Sequence, residues 1–562
     1  MIARSDALAA FEAERFDVVV IGGGITGAGV ALDAASRGYS VALVERTDYA
    51  IGTSSRSSKL VHGGLRYLQN FDLGLVREAL LERSILVNLA PHLVKPLELL
   101  VPSFEGRRPE RVMGIGLNMY DVMARERGAW RRRRRDSDGD GQPDWSPDRH
   151  RIIPGDQVVR LAPALAAREP SAAFLFYDCQ TDDVRLVLTV LGEAERFGTV
   201  MANACEVVGL LDVEGRADGV RVRDSESGRE IELHADNVVN ATGVWADTIR
   251  PEELHNEAEV PRIRPSRGTH ITLDHADLPI DVGVIVPAGG GRSIFALPWL
   301  GRTLIGTTDN DYEGPLEHVK PSIQDVEYLL DACREFFAVD LALADVTGAY
   351  AGVRPLISLG DDKQSVDISR RAELFETSSG LVTITGGKLT TWRRMAKMAI
   401  DRIVEREGRE APCRTHEIPL GQPIDAEQMP HVEGVGDASY ALFAHRYGYA
   451  ARDLLALAAE RPDLCRPIVD GQPDLLAEAV FSARNEQART VTDVLLRRTR
   501  LGLLDARALC APDAEGPRAV AAALGQELGW DDARVAREVA AWHECAAAEG
   551  LDVSSLEPAP AS

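Results

Sequence analysis

The pattern of apolar and polar positions near the start of the chain predicts a strand, a helix and a second strand in close succession. Residues 18–21 are a β-branched run of the kind found in strands that are buried on both faces. Alanine and leucine then recur at helical spacing over 28–35, and residues 40–44 form a second apolar run. Such a βαβ unit predicts a parallel sheet covered by helices.

The rest of the chain alternates between segments with the apolar pattern of strands and segments with the apolar pattern of helices. Short apolar runs separated by turns between residues 266 and 308 predict an antiparallel sheet inserted in the first domain. Beyond residue 423 the sequence is rich in alanine and helical in pattern, which predicts a third, α-helical domain. Further helices are predicted over 73–89, 111–127, 183–197 and 388–404, and further strands over 204–211, 219–223 and 381–385.

Glycines separate the first strand from the first helix at a spacing typical of dinucleotide sites. Gly22, Gly24 and Gly27 satisfy G-x-G-x-x-G, in which the glycines allow a tight turn, close approach of a pyrophosphate and packing of helix on strand. Glu45 ends the second strand, 21 residues after Gly24, where an acid can accept hydrogen bonds from ribose. The unit predicts a bound dinucleotide and leaves NAD and FAD both open.

Composition excludes several classes of protein. The 562 residues allow two or three domains, and the net charge of −24 argues against nucleic-acid binding, since a phosphate backbone would be repelled. The first fifteen residues lack the apolar core of a signal peptide, and no apolar run approaches the roughly 18 to 20 residues of a spanning helix. Seven scattered cysteines are typical of reduced thiols. We therefore expect a cytoplasmic protein.

Several motifs that occur in order along the chain resemble one family. They include GTSSRSSKLVHGGLRYL, YDCQTDDVRLVL, NATGVWAD, RGTHITL, IGTTDNDY, AGVRPL, TITGGKLTTW and DVLLRRTRLGLL. Together with the glycine turn, they resemble the FAD-dependent glycerol-3-phosphate dehydrogenases of the aerobic, respiratory type over residues 16–505. Local departures are Val244 where relatives have proline, Trp392 where they have tyrosine, and an insertion at 131–149.

The resemblance implies an α/β fold in three parts. A glutathione-reductase-type, Rossmann-like FAD-binding domain would comprise residues 1–85, 150–255 and 345–408. An inserted antiparallel-sheet substrate domain would comprise 86–149 and 256–344, with an exposed insertion at 131–149. A C-terminal α-helical domain would occupy 409–562.

The reaction implied by the resemblance is oxidation of sn-glycerol 3-phosphate to dihydroxyacetone phosphate, with hydride transfer to flavin N5. Histidine titrates near neutrality, so His270 or His62 is expected to accept the proton, with His270 preferred. Arginine suits a phosphate because its planar fork matches two oxygens. The expected catalytic residues are His270, His62, Arg354 and Lys388, and the expected substrate contacts are Arg66, Tyr67, Arg354, Arg370, His270 and Lys388.

The expected cofactor contacts come from several separated segments. The helix that follows Gly387 would point its positive end at the flavin. The full set is Gly22, Gly24, Ile25, Thr26, Gly27, Glu45, Arg46, Thr53, Ser54, Ser55, Lys59, Leu60, His62, Val207, Thr242, Gly243, Gly387, Lys388, Leu389 and Thr390.

The insertion carries two features that the family does not explain. Asp136, Asp138, Asp140 and Asp144 match positions 1, 3, 5 and 9 of a calcium loop, but position 12 is Pro147, so calcium competes with a plain polar loop and no other metal is expected. The five consecutive arginines at 131–135 follow Trp130 and could meet anionic lipid head groups.

The resemblance also implies a quinone acceptor, and with it a peripheral position on the inner face of the cytoplasmic membrane and a possible homodimer. Two alternatives stay open. One is an oxidase of the same fold that passes electrons to oxygen, and the other is a flavin-fold binding scaffold without turnover.

Overall fold

The structure is a computed structural model of the chain. It describes residues 2–64, 72–107, 109–135, 148–252, 254–289, 291–358 and 371–556, and the side chains at 112 and 125–135 fall outside the description. Within these ranges the chain forms two large sheets and a C-terminal group of helices.

The bounds of the elements are as follows. The strands are β1 (Phe16–Ile21), β2 (Val41–Val44), β3 (Leu60–Val61), β4 (Lys95–Ser103), β5 (Arg151–Pro154), β6 (Ala172–Gln180), β7 (Val200–Ala202), β8 (Cys205–Val213), β9 (Arg216–Asp224), β10 (Glu230–Asn240), β11 (Ile263–Asp274), β12 (Gly283–Pro287), β13 (Ser293–Trp299), β14 (Arg302–Gly306), β15 (Asn310–Asp311), β16 (Val346–Ile357), β17 (Ala372–Glu376) and β18 (Val382–Gly386). The helices are α1 (Arg4–Ala13), α2 (Ile25–Ser36), α3 (Leu73–Leu89), α4 (Arg111–Arg135), α5 (Gly155–Leu161), α6 (Asp183–Arg196), α7 (Ile323–Phe337), α8 (Trp392–Glu407), α9 (Asp437–Tyr447), α10 (Ala451–Glu460), α11 (Leu476–Glu486), α12 (Leu501–Leu504), α13 (Ala506–Cys510), α14 (Glu515–Leu528) and α15 (Asp532–Glu549).

The first sheet is built around β1, which is fully enclosed by parallel neighbours. Its strand order is β17-β18-β10-β1-β2-β7, and β10 continues into an antiparallel extension through β9 to β8. Helices α2, α6 and α8 cover one face, and Gly29 on α2 allows the close approach because a Cβ there would lie 2.5 Å from the ring of Trp392. The expected Rossmann-like unit is confirmed.

The second sheet is larger and mostly antiparallel. Its order is β15-β11-β14-β13-β12-β4-β6-β3, with β16 paired to β11 and β5 paired to β6. Among the described strands of this second sheet, only β4 and β12 pair in parallel. One face packs on α7 and the other on the C-terminal helices, so the sheet lies between two apolar cores.

The C-terminal helices form the third part and are fixed to the others by buried polar contacts. A π-helical segment, Asp493–Arg498, carries two arginines that both pair with Asp48 of the first domain. Arg185 on α6 pairs with both oxygens of Glu486 at 2.6 and 2.8 Å. The helical domain is therefore held by charge as well as by apolar packing.

Two features differ from the sequence-based expectation. Strands β3, β5, β6 and β16 fall in ranges expected for the FAD-binding domain, but they pair within the second sheet, because pairing partners far apart in sequence leave no local signal. Helix α4 extends to Arg135, eight residues beyond the predicted end at 127, so the arginine run belongs to a helix and not to a loop. Among the described residues, no helix is both long and apolar enough to span a membrane.

Candidate functional site

A cavity of about 330 Å³ opens where β1, β2 and β18 end. The carboxyl ends of parallel strands meet at this edge, which is where doubly wound folds bind nucleotides. Its walls come from the glycine turn, the end of β2, the loop at 51–57, the start of β8, the turn at 241–249 and the segment at 384–389. Six separated pieces of the chain thus converge on one space.

The glycine turn leaves no room for side chains. Gly22 has φ of 108°, and a Cβ there would lie 2.9 Å from the carbonyl oxygen of Ala241. A Cβ on Gly27 would lie 1.8 Å from the carbonyl oxygen of Gly22. Helix α2 begins at Ile25, so its positive end faces the cavity, as an anionic pyrophosphate requires.

Glu45 closes the nucleotide end of the cavity. Its carboxylate accepts hydrogen bonds from the backbone N–H of Gly23 at 2.7 Å and of Thr47 at 3.0 Å. Burial raises the pKa of Glu45, and the two N–H donors act against that rise. The acid is therefore tied to the glycine turn while it lines the cavity.

Trp245 forms another wall and was not singled out from the sequence. The guanidinium of Arg46 lies 4.9 Å from its ring centroid, and both residues line the cavity. Its indole Nε1 is buried and has no hydrogen-bond partner within the described part of the chain. The glycine cradle, the helix end, the carboxylate and this donor together fit a dinucleotide such as FAD.

Most of the expected cofactor residues line this cavity, and the others do not. Those that line it are Gly22, Gly24, Ile25, Thr26, Glu45, Arg46, Thr53, Ser54, Val207, Thr242, Gly243, Gly387, Lys388 and Leu389. Those outside the lining are Gly27, Ser55, Lys59, Leu60, His62 and Thr390.

Lys59 differs most from the expectation of a cofactor contact. Its side chain is fully buried, and its ammonium donates to a carboxylate oxygen of Asp183 at 2.7 Å and to the carbonyl of Ser55 at 2.7 Å. Burial lowers the pKa of Lys59 to about 7, against the opposing effect of Asp183. Lys59 thereby supports the loop at residues 53–58, here called the serine loop, because its partner Asp183 begins α6 and also contacts Ser57 of that loop.

Lys388 and its neighbours bring a second helix end to the cavity. Gly386 and Gly387 have φ of 77° and 65°, a left-handed conformation that turns the chain from β18 toward α8. A Cβ on Gly387 would lie 2.4 Å from the sulfur of Met395, another lining residue. The positive end of α8 thus also faces the cavity.

His270 lies on β11 beside the serine loop. Its Nε2 is 2.8 Å from Ser58 Oγ, and its ring stacks on Tyr350 at a centroid distance of 4.8 Å. Gly306 makes room for it, since a Cβ there would lie 2.2 Å from the imidazole. Burial first, and then the charges of Lys59 and Arg354, hold the pKa of His270 well below 6.5. The ring is therefore neutral at physiological pH.

Arg354 lies on the same face of the second sheet, because β11 and β16 are paired with His270 opposite Tyr350 and Ser266 opposite Arg354. Its guanidinium pairs with Asp309 at 3.2 Å and donates to the carbonyl of Thr308 at 3.1 Å. The side chain is about a fifth exposed. The next residue along the strand, Pro355, lines the cavity, whereas Arg354 is not among the lining residues.

His62 occupies a different position. Its backbone N–H donates to Thr390 Oγ1 at 3.1 Å, and its ring meets Phe295 edge to face at 6.2 Å. These contacts join the end of β3 to the start of α8 and to β13.

Several expected residues lie outside the described part of the chain. They are the substrate candidates Arg66, Tyr67 and Arg370 and the calcium candidates Asp136, Asp138, Asp140 and Asp144.

Sequence reasoning missed Ser58, Asp309 and Tyr350 as neighbours of the two candidate catalytic side chains. Tyr350 precedes Arg354 by four residues, so the alternation of a strand puts both on one face. That signal was present in AYAGVRPL. The pairing of β16 with β11, which brings Tyr350 to His270, has no counterpart in the sequence.

Two family models match the chain. The model for FAD dependent oxidoreductases matches residues 17–402, and the model for the C-terminal domain of alpha-glycerophosphate oxidase matches residues 384–535. Together they account for both sheets and most of the helical domain.

Full-length relatives and a solved structure agree with these matches. A glycerol-3-phosphate dehydrogenase of Mycobacterium leprae is 38% identical over 560 residues, covering 98% of this chain and 91% of the relative. The mitochondrial glycerol-3-phosphate dehydrogenase SDP6 of Arabidopsis thaliana is 35% identical, covering 95% of this chain and 86% of the relative. The glycerol-3-phosphate dehydrogenase of Bacillus halodurans, solved in complex with FAD, has a TM-score of 0.76 at 26% identity and covers 100% of this chain and 99% of its own. The cavity, the matching models and the relatives agree on an FAD enzyme, and the chain belongs to the FAD-dependent glycerol-3-phosphate dehydrogenase family.

Proposed function

We propose that this protein oxidises the secondary alcohol of sn-glycerol 3-phosphate to the ketone of dihydroxyacetone phosphate. The observation that carries the proposal is that His270 and Arg354 share one face of the second sheet, each adjacent to a segment that lines the cofactor cavity: His270 contacts Ser58, next to the lining residue Ser57, and Arg354 precedes the lining residue Pro355. The chain is also similar to glycerol-3-phosphate dehydrogenases over almost its whole length. Bound FAD supplies the acceptor for the hydride that leaves carbon 2. The protein must supply a base and a phosphate site.

His270 is the proposed base. A base must be unprotonated before the reaction, and burial together with two nearby cations keeps this imidazole neutral. The proton of the substrate hydroxyl is received at a ring nitrogen of His270; Nε2 lies 2.8 Å from Ser58 Oγ, and Nδ1 has no hydrogen-bond partner among the described residues. His62 is the competing candidate, and its contacts with Phe295 and Thr390 favour a structural role.

Arg354 is the proposed phosphate ligand. Its planar fork suits two phosphate oxygens, and a phosphate would take over donors that now contact Ser266 Oγ at 3.5 Å and Thr307 Oγ1 at 3.3 Å. Asp309 and the carbonyl of Thr308 hold its orientation. Lys388, at the second helix end, is placed to stabilise negative charge that develops in the cavity.

Anaerobic reduction tests the proposal directly. Addition of sn-glycerol 3-phosphate to the FAD-loaded protein should bleach the flavin absorption band within seconds. The enantiomer sn-glycerol 1-phosphate and unphosphorylated glycerol are the matched controls and should leave the band largely intact. Retention of the band with all three compounds would contradict the proposed substrate and favour the scaffold.

The proposed electron acceptor is a membrane quinone. If substrate and air alone generate stoichiometric peroxide and an added quinone gives no stimulation, the protein is an oxidase instead. A steady-state assay with a soluble quinone analogue under nitrogen distinguishes the two.

Helix α4 is the proposed membrane contact. Ile115, Met119 and Val122 recur at helical spacing and are 62%, 39% and 55% exposed. The backbone of the same helix continues through the five arginines at 131–135. An apolar face followed by a basic run suits an anionic bilayer surface, with about 1 kcal/mol for each basic residue near the lipid.

Vesicle flotation tests this contact. Replacement of Arg131–Arg135 by serine, or Ile115→Ser with Val122→Ser, should release the protein from anionic vesicles, and added salt should weaken binding of the parent chain. Val213→Ser removes an equally exposed valine from β8 and serves as the control. Equal binding by all variants would contradict the proposal.

A further inference from the structure

The segment Ser55 to Lys59, here called the bridging segment, joins the cofactor cavity to the candidate base. Ser57 lines the cavity. The hydroxyl of the next residue, Ser58, lies 2.8 Å from Nε2 of His270. A shift of this segment by a fraction of an ångström would therefore move a cavity wall and the partner of the base together.

Besides His270 at Ser58 and Glu549 of the helical domain, which pairs with Arg56 at 2.7 Å, three further side chains from outside the segment hold it in place. One carboxylate oxygen of Asp183 accepts from the N–H of Ser57 at 3.1 Å and from its hydroxyl at 2.7 Å. The hydroxyl of Tyr350 donates to the carbonyl of Ser57 at 2.8 Å. The third is Arg500, which is 1% exposed and comes from the C-terminal domain.

Arg500 contacts the segment and its main support at once. Its Nη2 donates to the carbonyl of Ser55 at 3.0 Å and to a carboxylate oxygen of Asp183 at 3.1 Å. Its Nη1 donates to the carbonyl of Leu496 within the helical domain at 2.7 Å. One guanidinium thus links the helical domain to the bridging segment, because its fork provides donors in fixed directions.

Charge balance makes the cluster dependent on this arginine. Asp182 and Asp183 are adjacent and buried at the start of α6, and the described cations that face them directly are Lys59 and Arg500. Burial opposes ionisation of Asp182. The positive charge of Arg500, followed by those of other nearby cations, outweighs burial and lowers the pKa of Asp182. Removal of the guanidinium would leave two buried carboxylates with the Lys59 ammonium as their nearest described cation, at a high cost in free energy.

A second buried ion pair joins the same two domains without touching the segment. Arg185 on α6 pairs with Glu486 on α11, and neither residue lines the cavity. It has comparable burial, with side chains 3% and 11% exposed. The pair provides a matched comparison for domain attachment without contact to the bridging segment, although Arg185 also contributes to the lowered pKa of Asp182.

We propose that Arg500 is a positioning residue for catalysis, through which the C-terminal helical domain fixes the bridging segment against the cofactor and against His270. The helical domain then helps to position the active site, although none of its described residues lines the cavity. The effect on turnover rests on the proposed function, whereas the effect on FAD does not.

The experiment compares Arg500→Lys with Arg185→Lys in the FAD-loaded, full-length protein. Lysine preserves the charge but cannot reach the three acceptors that the guanidinium bridges. We expect Arg500→Lys to weaken FAD binding about tenfold, in line with the loss of one or two charged hydrogen bonds. It should also alter the visible circular dichroism of the flavin and lower kcat about tenfold or more, with KM for glycerol 3-phosphate within twofold.

Arg185→Lys should lower the melting temperature comparably while the flavin spectrum, FAD affinity and kcat stay at the values of the parent. If Arg500→Lys changes only the melting temperature, in step with the control, the proposal is overturned. FAD affinity and the flavin spectrum decide the matter even if glycerol 3-phosphate proves not to be the substrate. Arg500→Ala with added guanidinium ion gives an independent check, since restored flavin dichroism supports a positioning role and unrestored dichroism with FAD bound opposes it.

Discussion

The nucleotide end of the cavity and the cluster around His270 are built from different parts of the chain and by different kinds of atoms. Much of the nucleotide end comes from the glycine turn, the end of β2 and the loop that follows it, all within residues 21–54, and its contacts are largely with the backbone. The cluster around His270 combines the serine loop, β11, β16 and Asp309, and it consists of side chains.

The difference follows from what each end has to do. A pyrophosphate is met by backbone N–H groups at a helix end, so steric room matters more than side-chain identity. Proton transfer requires a titratable side chain within reach of the substrate hydroxyl, and any strand of a sheet can carry that side chain. Substitutions at the two ends should therefore separate FAD binding from turnover.

The largest effect is expected from Gly27→Val. Its Cβ would lie 1.8 Å from the carbonyl oxygen of Gly22, so the turn and α2 cannot keep their packing. We expect loss of FAD and of stable protein, measured as flavin absorbance per chain after desalting and as soluble yield. Retained flavin at normal stoichiometry would contradict the close approach.

His270→Gln should reduce kcat by about 10²–10⁴ while FAD stays bound, because glutamine can keep the contact with Ser58 but cannot accept a proton. Stopped-flow flavin reduction measures the rate, and His234→Gln, at a half-exposed histidine on β10, is the control. If the variant reduces the flavin at the parent rate, His270 is not the base and His62 becomes the candidate.

The pH dependence provides a separate check on the same residue. The pKa of His270 is held well below 6.5 by burial and by Lys59 and Arg354, so its neutral form persists as pH falls from neutrality through 6.5. The rate of flavin reduction should stay level in this window and fall only below it. Linkage gives the matching sign for stability: the unfolded state takes up the proton first, so this residue contributes a loss of stability as pH falls below 6.5.

Glu45→Gln should have an intermediate effect at the nucleotide end. The carboxylate accepts from Gly23 and Thr47, and an amide would present one oxygen acceptor in place of two. We expect FAD affinity to fall roughly tenfold, measured by flavin fluorescence quenching, since a charged hydrogen bond contributes about 1.5–3 kcal/mol. The rate of flavin reduction at saturating FAD should change less than twofold.

The smallest effect is expected from Gly192→Ala on α6. Nothing lies within 4 Å of the added Cβ, and alanine favours a helix over glycine by about 0.5–1 kcal/mol. The melting temperature should rise slightly while FAD affinity and kcat are unchanged. A fall in either would show that α6 transmits more strain to the cavity than its contacts indicate.

The sequence predicted the elements that depend on local pattern. Helix α3 has the predicted bounds, 73–89, and α6 ends within one residue of its prediction. Glu45 and the glycine turn lie together at the cavity, as their spacing indicated. The role expected for Lys59 differed because its partner Asp183 lies 124 residues away, and no local pattern distinguishes a buried lysine from one that faces a ligand.

By itself, then, the sequence determined the βαβ unit, the class of cofactor site and the helical C-terminal part, because hydrophobic periodicity and glycine spacing act over a few residues. Only the tertiary structure decided that β16 pairs with β11, so that His270 meets Tyr350 and lies near Arg354, and that Arg500 reaches Ser55 across 445 residues. Such contacts depend on which surfaces pack together, and packing is a property of the whole chain.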